Sequence, residues 1–232
     1  MLTTKKLLFL VLFTLSTSAH AYYFTYTFGK GTLYPDISFG VAKGTAESVN
    51  LYTQYGISNS LDLNVWIPDA YHYDGPTKQG SAFYSNPTVG YFYSFINDDN
   101  NKLGTFANFM LPFRSPKGIA MDMALIYSRK LAETWNVITG LDVPFDKYKD
   151  APVDVTLTYI IGTEYTKGNF FSQLAFNISE QVKPDRTFGI GAAWYTEYAT
   201  SVITPYVELG YSAKPVEEWY VLIGFYRLFK LL

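Results

Sequence analysis

The sequence predicts an all-β fold, a transmembrane antiparallel up-and-down β-barrel of about twelve strands. Three observations point there: an N-terminal stretch built like an export signal, a hydrophobic period of two sustained over long segments, and short polar turns alternating with longer connections. Composition agrees. Of 232 residues, 48% are hydrophobic and 19% aromatic, against 16% charged, which is too apolar and too ring-rich for a disordered chain. The mean hydropathy of +0.02 argues against a bundle of helical spans, each of which needs about 20 apolar residues. With Cys absent, disulfides, thiolate nucleophiles and Cys-based zinc sites drop out. A formal charge of −2 and no basic cluster offer nothing to a nucleic-acid backbone.

Residues 1–21 read as a signal peptide. Lys5 and Lys6 form its positive start, 7–15 its apolar middle, and Ala19-His20-Ala21 a small-x-small cleavage site. The apolar run is too short to span a membrane and gives way to Ser16, Thr17 and Ser18. Cleavage there leaves His72 as the single histidine. Residues 22–32 are then expected as an N-terminal segment on the periplasmic side, and 33–232 as the barrel. The aromatic run Tyr22-Tyr23-Phe24-Thr25-Tyr26-Thr27-Phe28 has three readings: packing on the barrel from the periplasmic side, a plug in the lumen, or an extra strand. The last breaks the even strand count of such barrels.

Alternation then runs down the chain. Leu61, Leu63, Val65 and Ile67 oppose Asp62, Asn64 and Trp66. Ile119, Met121, Met123, Leu125 and Tyr127 oppose Ala120, Asp122, Ala124 and Ser128. Val153, Val155, Leu157, Tyr159, Ile161 and Tyr165 oppose Asp154, Thr156, Thr158, Gly162 and Glu164. Phe188, Ile190, Ala192 and Trp194 oppose Gly189, Gly191, Ala193 and Glu197; Ile203, Val207, Leu209 and Tyr211 oppose Thr204, Glu208, Gly210 and Ser212. Successive side chains of a strand point to opposite faces, so one face is bulky and apolar and the other small and acidic. Strands of soluble sandwiches average about five or six residues; runs of about ten suit a membrane barrel.

Short turns rich in Gly, Asn, Asp, Ser, Thr or Lys fall at 57–60, 97–101, 131–134, 167–168 and 199–200. Between them lie connections at 44–48, 69–83, 113–118, 144–152, 180–186 and 214–217. A first strand near 33–43 and a last near 218–229 give twelve, with both termini and all five short turns on one side. Ten and fourteen strands are the neighbouring alternatives. Pro68, Pro112 and Pro144 are expected to end outgoing strands, because proline cannot donate to the ladder. Tyr55, Phe95, Tyr127, Trp135, Tyr165 and Tyr198 lie near the short turns, where an aromatic girdle belongs. Two features resist: Pro205 falls inside a strand and calls for a bulge, and the last strand carries apolar residues on both parities.

The stretch Ser48-Val49-Asn50-Leu51-Tyr52-Thr53-Gln54-Tyr55-Gly56-Ile57-Ser58-Asn59-Ser60-Leu61, followed by Pro68, resembles a hairpin of the outer-membrane family called "MetA-pathway of phenol degradation" and the transporter-like barrels around it. Tyr91-Phe92-Tyr93-Ser94-Phe95 and Leu111-Pro112 are similar to that family's second hairpin. The likeness is clearest over 45–115. It implies an outer-membrane barrel of a kind suggested to pass small hydrophobic or aromatic compounds, and it carries no catalytic residues.

On the inward parity gather Asp36, Asp62, Asp122, Asp142, Asp154, Glu164, Glu197 and Glu208. Facing one wet cavity, they would favour cations. Paired with Tyr, Asn, Gln and loop Lys or Arg, they would instead fill a closed barrel with hydrogen-bond networks. Lipid excludes carboxylates in either case. Lys130 is the main basic residue on that parity. His72 falls in the longest connection, between Asp69 and Asp74. One histidine supplies neither the converging ligands of a metal site nor the Ser-His pair of a barrel hydrolase, so no enzymatic activity, metal or cofactor is expected. Phe28-Gly29-Lys30-Gly31 and Thr187-Phe188-Gly189-Ile190-Gly191 lack the helix and the Lys-Ser/Thr of a phosphate loop.

The expectation is therefore an outer-membrane channel or passive transporter for small, hydrophobic or cationic molecules. Its partners would be outer-membrane lipid and the permeant, with no nucleic acid and a monomer favoured. Two alternatives stay open: a closed envelope barrel with a structural, adhesive or surface-binding role, and a soluble periplasmic sandwich or lipid-binding barrel with inverted polarity.

Overall fold

The computed structural model describes residues 27–42, 46–73, 81–82, 86–113, 118–148, 153–182, 188–214 and 218–231. The expected signal peptide and the aromatic residues 22–26 lie outside them. Twelve long strands form the wall: β1 (Thr32–Ala42), β2 (Ala46–Gly56), β3 (Leu61–Tyr73), β4 (Thr88–Asn97), β5 (Asn101–Met110), β6 (Gly118–Ala132), β7 (Trp135–Asp142), β8 (Asp154–Lys167), β9 (Phe170–Gln181), β10 (Phe188–Tyr198), β11 (Thr204–Lys214) and β12 (Glu218–Tyr226). Each pairs antiparallel with the next, and β12 returns to β1 through Asp36↔Tyr226 to Ala42↔Tyr220. The sheet is closed, so no edge is left. Hydrocarbon offers no partner for a bare N–H or C=O, and only a helix or a closed barrel satisfies all of them across a membrane.

The period of two decides which way each side chain looks. Phe39, Leu63, Ile161, Phe176, Ile190 and Ile223 are among the large apolar side chains exposed on the outside. Soluble monomers rarely show a contiguous apolar patch of more than a few hundred Å²; in a bilayer the same surface meets acyl chains. Asp62, Asp122, Asp142, Glu164 and Glu208 are buried inside. This removes the soluble reading, which needs the opposite polarity. At the turn end, Trp135 packs 4.9 Å from Tyr165, and Tyr165 lies 6.2 Å from Phe170, a stretch of aromatic girdle.

The interior is bulkier than small and acidic residues would make it. Ile126, Ile138 and Ile160, at most 2% exposed, meet Ala124 and Ala175 inside β6–β9, with Phe106 packed against them. Tyr195 and Tyr206 stack 5.3 Å apart on the far side. A barrel of twelve strands encloses more space than small side chains can fill, and rings and isoleucines take up part of it. The double parity of β12 resolves in the same way. Trp219, Ile223 and Phe225 are exposed outside, whereas Tyr220 lies over Gly210 and Leu222 reaches toward Gly40.

The prolines behave differently from expectation. Pro112 follows the end of β5. Pro68, however, lies within β3, where the register with β2 shifts between Val49 and Leu51. Asp69 takes a left-handed φ of 47°, and its N–H donates to Asn50 Oδ1 at 2.9 Å. The ladder absorbs the missing donor in a bulge and runs on to Tyr73. His72 therefore sits on a strand, paired with Ser48 and with Ser81 of the two-residue strand Ser81–Ala82. Pro144 likewise interrupts a strand that resumes at Phe145–Tyr148 against both β6 and β8. Pro205 needs no bulge. It is the second residue of β11, it keeps register with Phe225, and pairing to β10 begins only at Tyr206.

The short turns join the strands at one end. In the β4–β5 turn, the Asp98 carboxylate accepts the N–H groups of Asn100 and Asn101 at 2.8 and 2.7 Å. These two donors hold its pKa below the usual carboxylate value. The chain enters at this end across the wall. Thr27 donates to the Asn59 carbonyl at 2.6 Å and the Phe28 ring stacks on Tyr34 at 4.8 Å. Gly29 passes so close to Gly56 that a Cβ at position 56 would collide with its carbonyl. Leu231 N–H donates to the Gly31 carbonyl at 2.8 Å, tying the last described residues to the first.

Ile161 stands on the lipid face in the middle of β8. Ile161→Arg is expected to destabilise the barrel by about 2–4 kcal/mol, measured by denaturant unfolding in lipid vesicles. Thr158→Ser on the inner face of the same strand should change stability by no more than about 1 kcal/mol.

Candidate channel lumen

The eight carboxylates divide by what they touch. Asp36 accepts the hydroxyls of Tyr34 at 3.1 Å and Tyr206 at 2.9 Å. Asp62 accepts Gln54 Nε2 at 2.7 Å and the Phe28 N–H at 2.8 Å. Glu164 accepts Ser128 Oγ and Asn136 Nδ2, both at 3.0 Å, and Gln173 Nε2 at 3.2 Å. Asp154 accepts Gln181 Nε2 at 3.1 Å, Glu197 accepts the Tyr195 hydroxyl at 2.6 Å, and Glu208 accepts the Tyr220 hydroxyl at 2.7 Å. The donors named here are neutral. Each such bond to a carboxylate contributes about 1.5–3 kcal/mol. Lys130 stays exposed near the turns.

Asp122 and Asp142 differ. They project from β6 and β7, where Asp142 pairs with Ala124, one inward position along from Asp122. The two carboxyls stand on adjacent strands on the inward face, and the Oδ1 of each is buried without a hydrogen-bond partner.

A cavity of about 110 Å³ opens beside them, room for several waters. Asp36, Asp122, Asp142 and Glu208 line it; Asp62, Asp154, Glu164 and Glu197 do not. Its remaining wall is aromatic and amide, with Tyr52, Trp66, Phe92, Tyr206, Asn64 and Asn108 among others, and no Lys or Arg among the described residues. Five of the eight acids thus fall into two settings. Glu164 belongs to the filled sector of β6–β9, beside Ile138 and Ile160, and four others look into the open sector.

Sequence reasoning overlooked Asn64, Asn108 and Thr88 as site residues. Their inward parity was available, but neutral side chains carry no charge signal. It also overlooked Asp146, a buried acid opposite Asp154, because the strand was expected to stop at Pro144. Gln173→Leu, which strands Glu164 Oε1 in the packed sector, is expected to cost about 1–3 kcal/mol by denaturant unfolding, more than the control Ile178→Val on the exposed outer face of the same strand.

The fold recurs in solved outer-membrane channels. An outer-membrane channel from Pseudomonas putida F1 superposes with a TM-score of 0.65 at 12% identity, covering 88% of this chain and 98% of that one. The NanC porin gives 0.63 at 15% identity, over 82% and 98%. The KdgM porin, solved in complex with disordered oligogalacturonate, gives 0.57 at 12% identity, over 83% and 97%. No family model and no characterised protein matches the sequence. With its closed twelve-strand wall, apolar outer belt and polar interior, the chain has the fold of an outer-membrane channel barrel, and the outer membrane is its place.

Proposed function

We propose that the protein is a narrow passive channel of the outer membrane that admits small neutral or cationic compounds and disfavours anions. The observation that carries this reading is the cavity bordered by Asp36, Asp122, Asp142 and Glu208, with no basic side chain among the described residues of its wall. A ring of one sign of charge in a low-dielectric wall raises the local concentration of the opposite ion. Trp66, Phe92 and Tyr52 give the same cavity apolar surface, in keeping with the resemblance of 45–115 to barrels suggested to pass small hydrophobic or aromatic compounds. Each barrel encloses its own path, so one copy is a complete unit.

A closed barrel with a structural or surface-binding role is the second reading. The observation favouring it is the filled sector, where Ile126, Ile138 and Ile160 interlock and Glu164 has three donors.

Planar-bilayer recording separates the two. The channel reading expects discrete openings, with potassium more permeant than chloride at low salt, where screening is weakest. Asp36→Asn combined with Glu208→Gln should move the reversal potential toward zero while openings persist. A folded barrel silent at every voltage would leave only the closed reading.

A further inference from the structure

One inward row of the wall is built of oxygen. Asn64 pairs with Gly90, Gly90 with Asn108, and Asn108 with Asp122, so these residues lie side by side across β3–β6. Thr88 stands one inward position along β4, and Asp142 stands diagonal to Asp122. Asn64 Oδ1, Thr88 Oγ1, Asn108 Oδ1, Asp122 Oδ1 and Asp142 Oδ1 are all buried without a hydrogen-bond partner. Asn64, Thr88, Asp122 and Asp142 are each at most 6% exposed, and all five residues line the one cavity. Gly90 leaves the row open: a Cβ there would collide with Asn108 Oδ1.

Buried polar atoms are ordinarily paired, and each that is not costs free energy. Here the unpaired atoms are oxygens, and four of the five are amide or carboxylate oxygens, which accept. Carboxylates on neighbouring inward positions of adjacent strands, as Asp122 and Asp142 are, repel each other, and a cation between them favours the ionised pair. The row thus calls for a donor, and the two aspartates favour one that carries positive charge.

Size decides what kind. Three strand spacings of about 4.8 Å separate Asn64 from Asp122 along the wall, whereas oxygens on one calcium ion lie within about 5 Å of one another. The row is therefore too long for one ion, and among the described residues no three Asp, Glu, His or Cys side chains converge as a metal site would require. A ligand with an ammonium group and an apolar body suits the charged and the aromatic parts of the cavity together. Trp66 and Phe92 border the same space, and aromatic faces attract ammonium groups.

We infer that this row is a binding site for a small organic amine, whose ammonium group sits between Asp122 and Asp142 and whose apolar or aromatic body lies toward Trp66 and Phe92. The inference deepens the channel reading by naming the permeant class, and it rests on that reading for the ligand's way in.

The test uses the full chain folded in detergent, with 2-phenylethylammonium as probe and 2-phenylethanol and phenylacetate as its neutral and anionic counterparts. Calorimetric titration should show the amine binding at least tenfold more tightly than either counterpart. Asp122→Asn with Asp142→Asn should reduce the preference over the alcohol to within twofold, in protein shown to be folded by its heat-modifiable gel shift. Asn108→Ala, which leaves the charges in place, should weaken the amine several-fold and serves if the double variant does not fold. Equal binding of the alcohol, an undiminished preference in the variants, or titration by calcium chloride with the amine inert would overturn the site. Bilayer openings without amine binding refute the site and leave the channel; amine binding without openings supports the site and refutes the channel.

Discussion

A backbone crossing hydrocarbon must satisfy its own hydrogen bonds, and everything else in this protein depends on that. The return of β12 to β1 meets the requirement by removing both edges of the sheet. Closure then makes the two faces of each strand inequivalent, one toward lipid and one toward an enclosed space. Since the side-chain period is two, a single residue's slip would carry Asp62, Asp122, Glu164 and Glu208 into the bilayer at several kcal/mol each. The acids therefore hold the register as much as they furnish the interior.

The enclosed space is divided between packing and function. Along β6–β9 isoleucines and alanines close it, and Glu164 is held there by a hydroxyl and two amides. Around β1–β5 and β11 it stays open, faced by rings and by Asp36, Asp122, Asp142 and Glu208. Tyrosine hydroxyls do much of the solvation of acids in this part, at Asp36, Glu197 and Glu208. Neutral donors lower the cost of burying a carboxylate but leave its field in the cavity, as lysine or arginine partners would not.

How far the sequence could be read depends on how local each feature is. Strand number and turn positions were legible because alternation and turn chemistry reside within a few residues. Proline was read too simply. The missing N–H at Pro68 and Pro144 is accommodated by a bulge and by an interruption, after which the ladder resumes. At Pro205 the start of pairing with β10 makes any bulge unnecessary. His72 changed from a loop to a strand position for the same reason. The bulky interior residues Ile126, Ile138 and Ile160 have inward parity, but an inward isoleucine is recognisable only once the neighbouring strands show a gap of its size.

The sequence alone determined the closed barrel, its two-faced wall and the inward turn of the acids, since these follow from periodicity and from the cost of charge in lipid. The tertiary structure alone decided which acids share a space. Asp122 comes beside Asp142, and Asn64 into line with Asn108, through strand register, a relation between segments distant along the chain that no local pattern encodes.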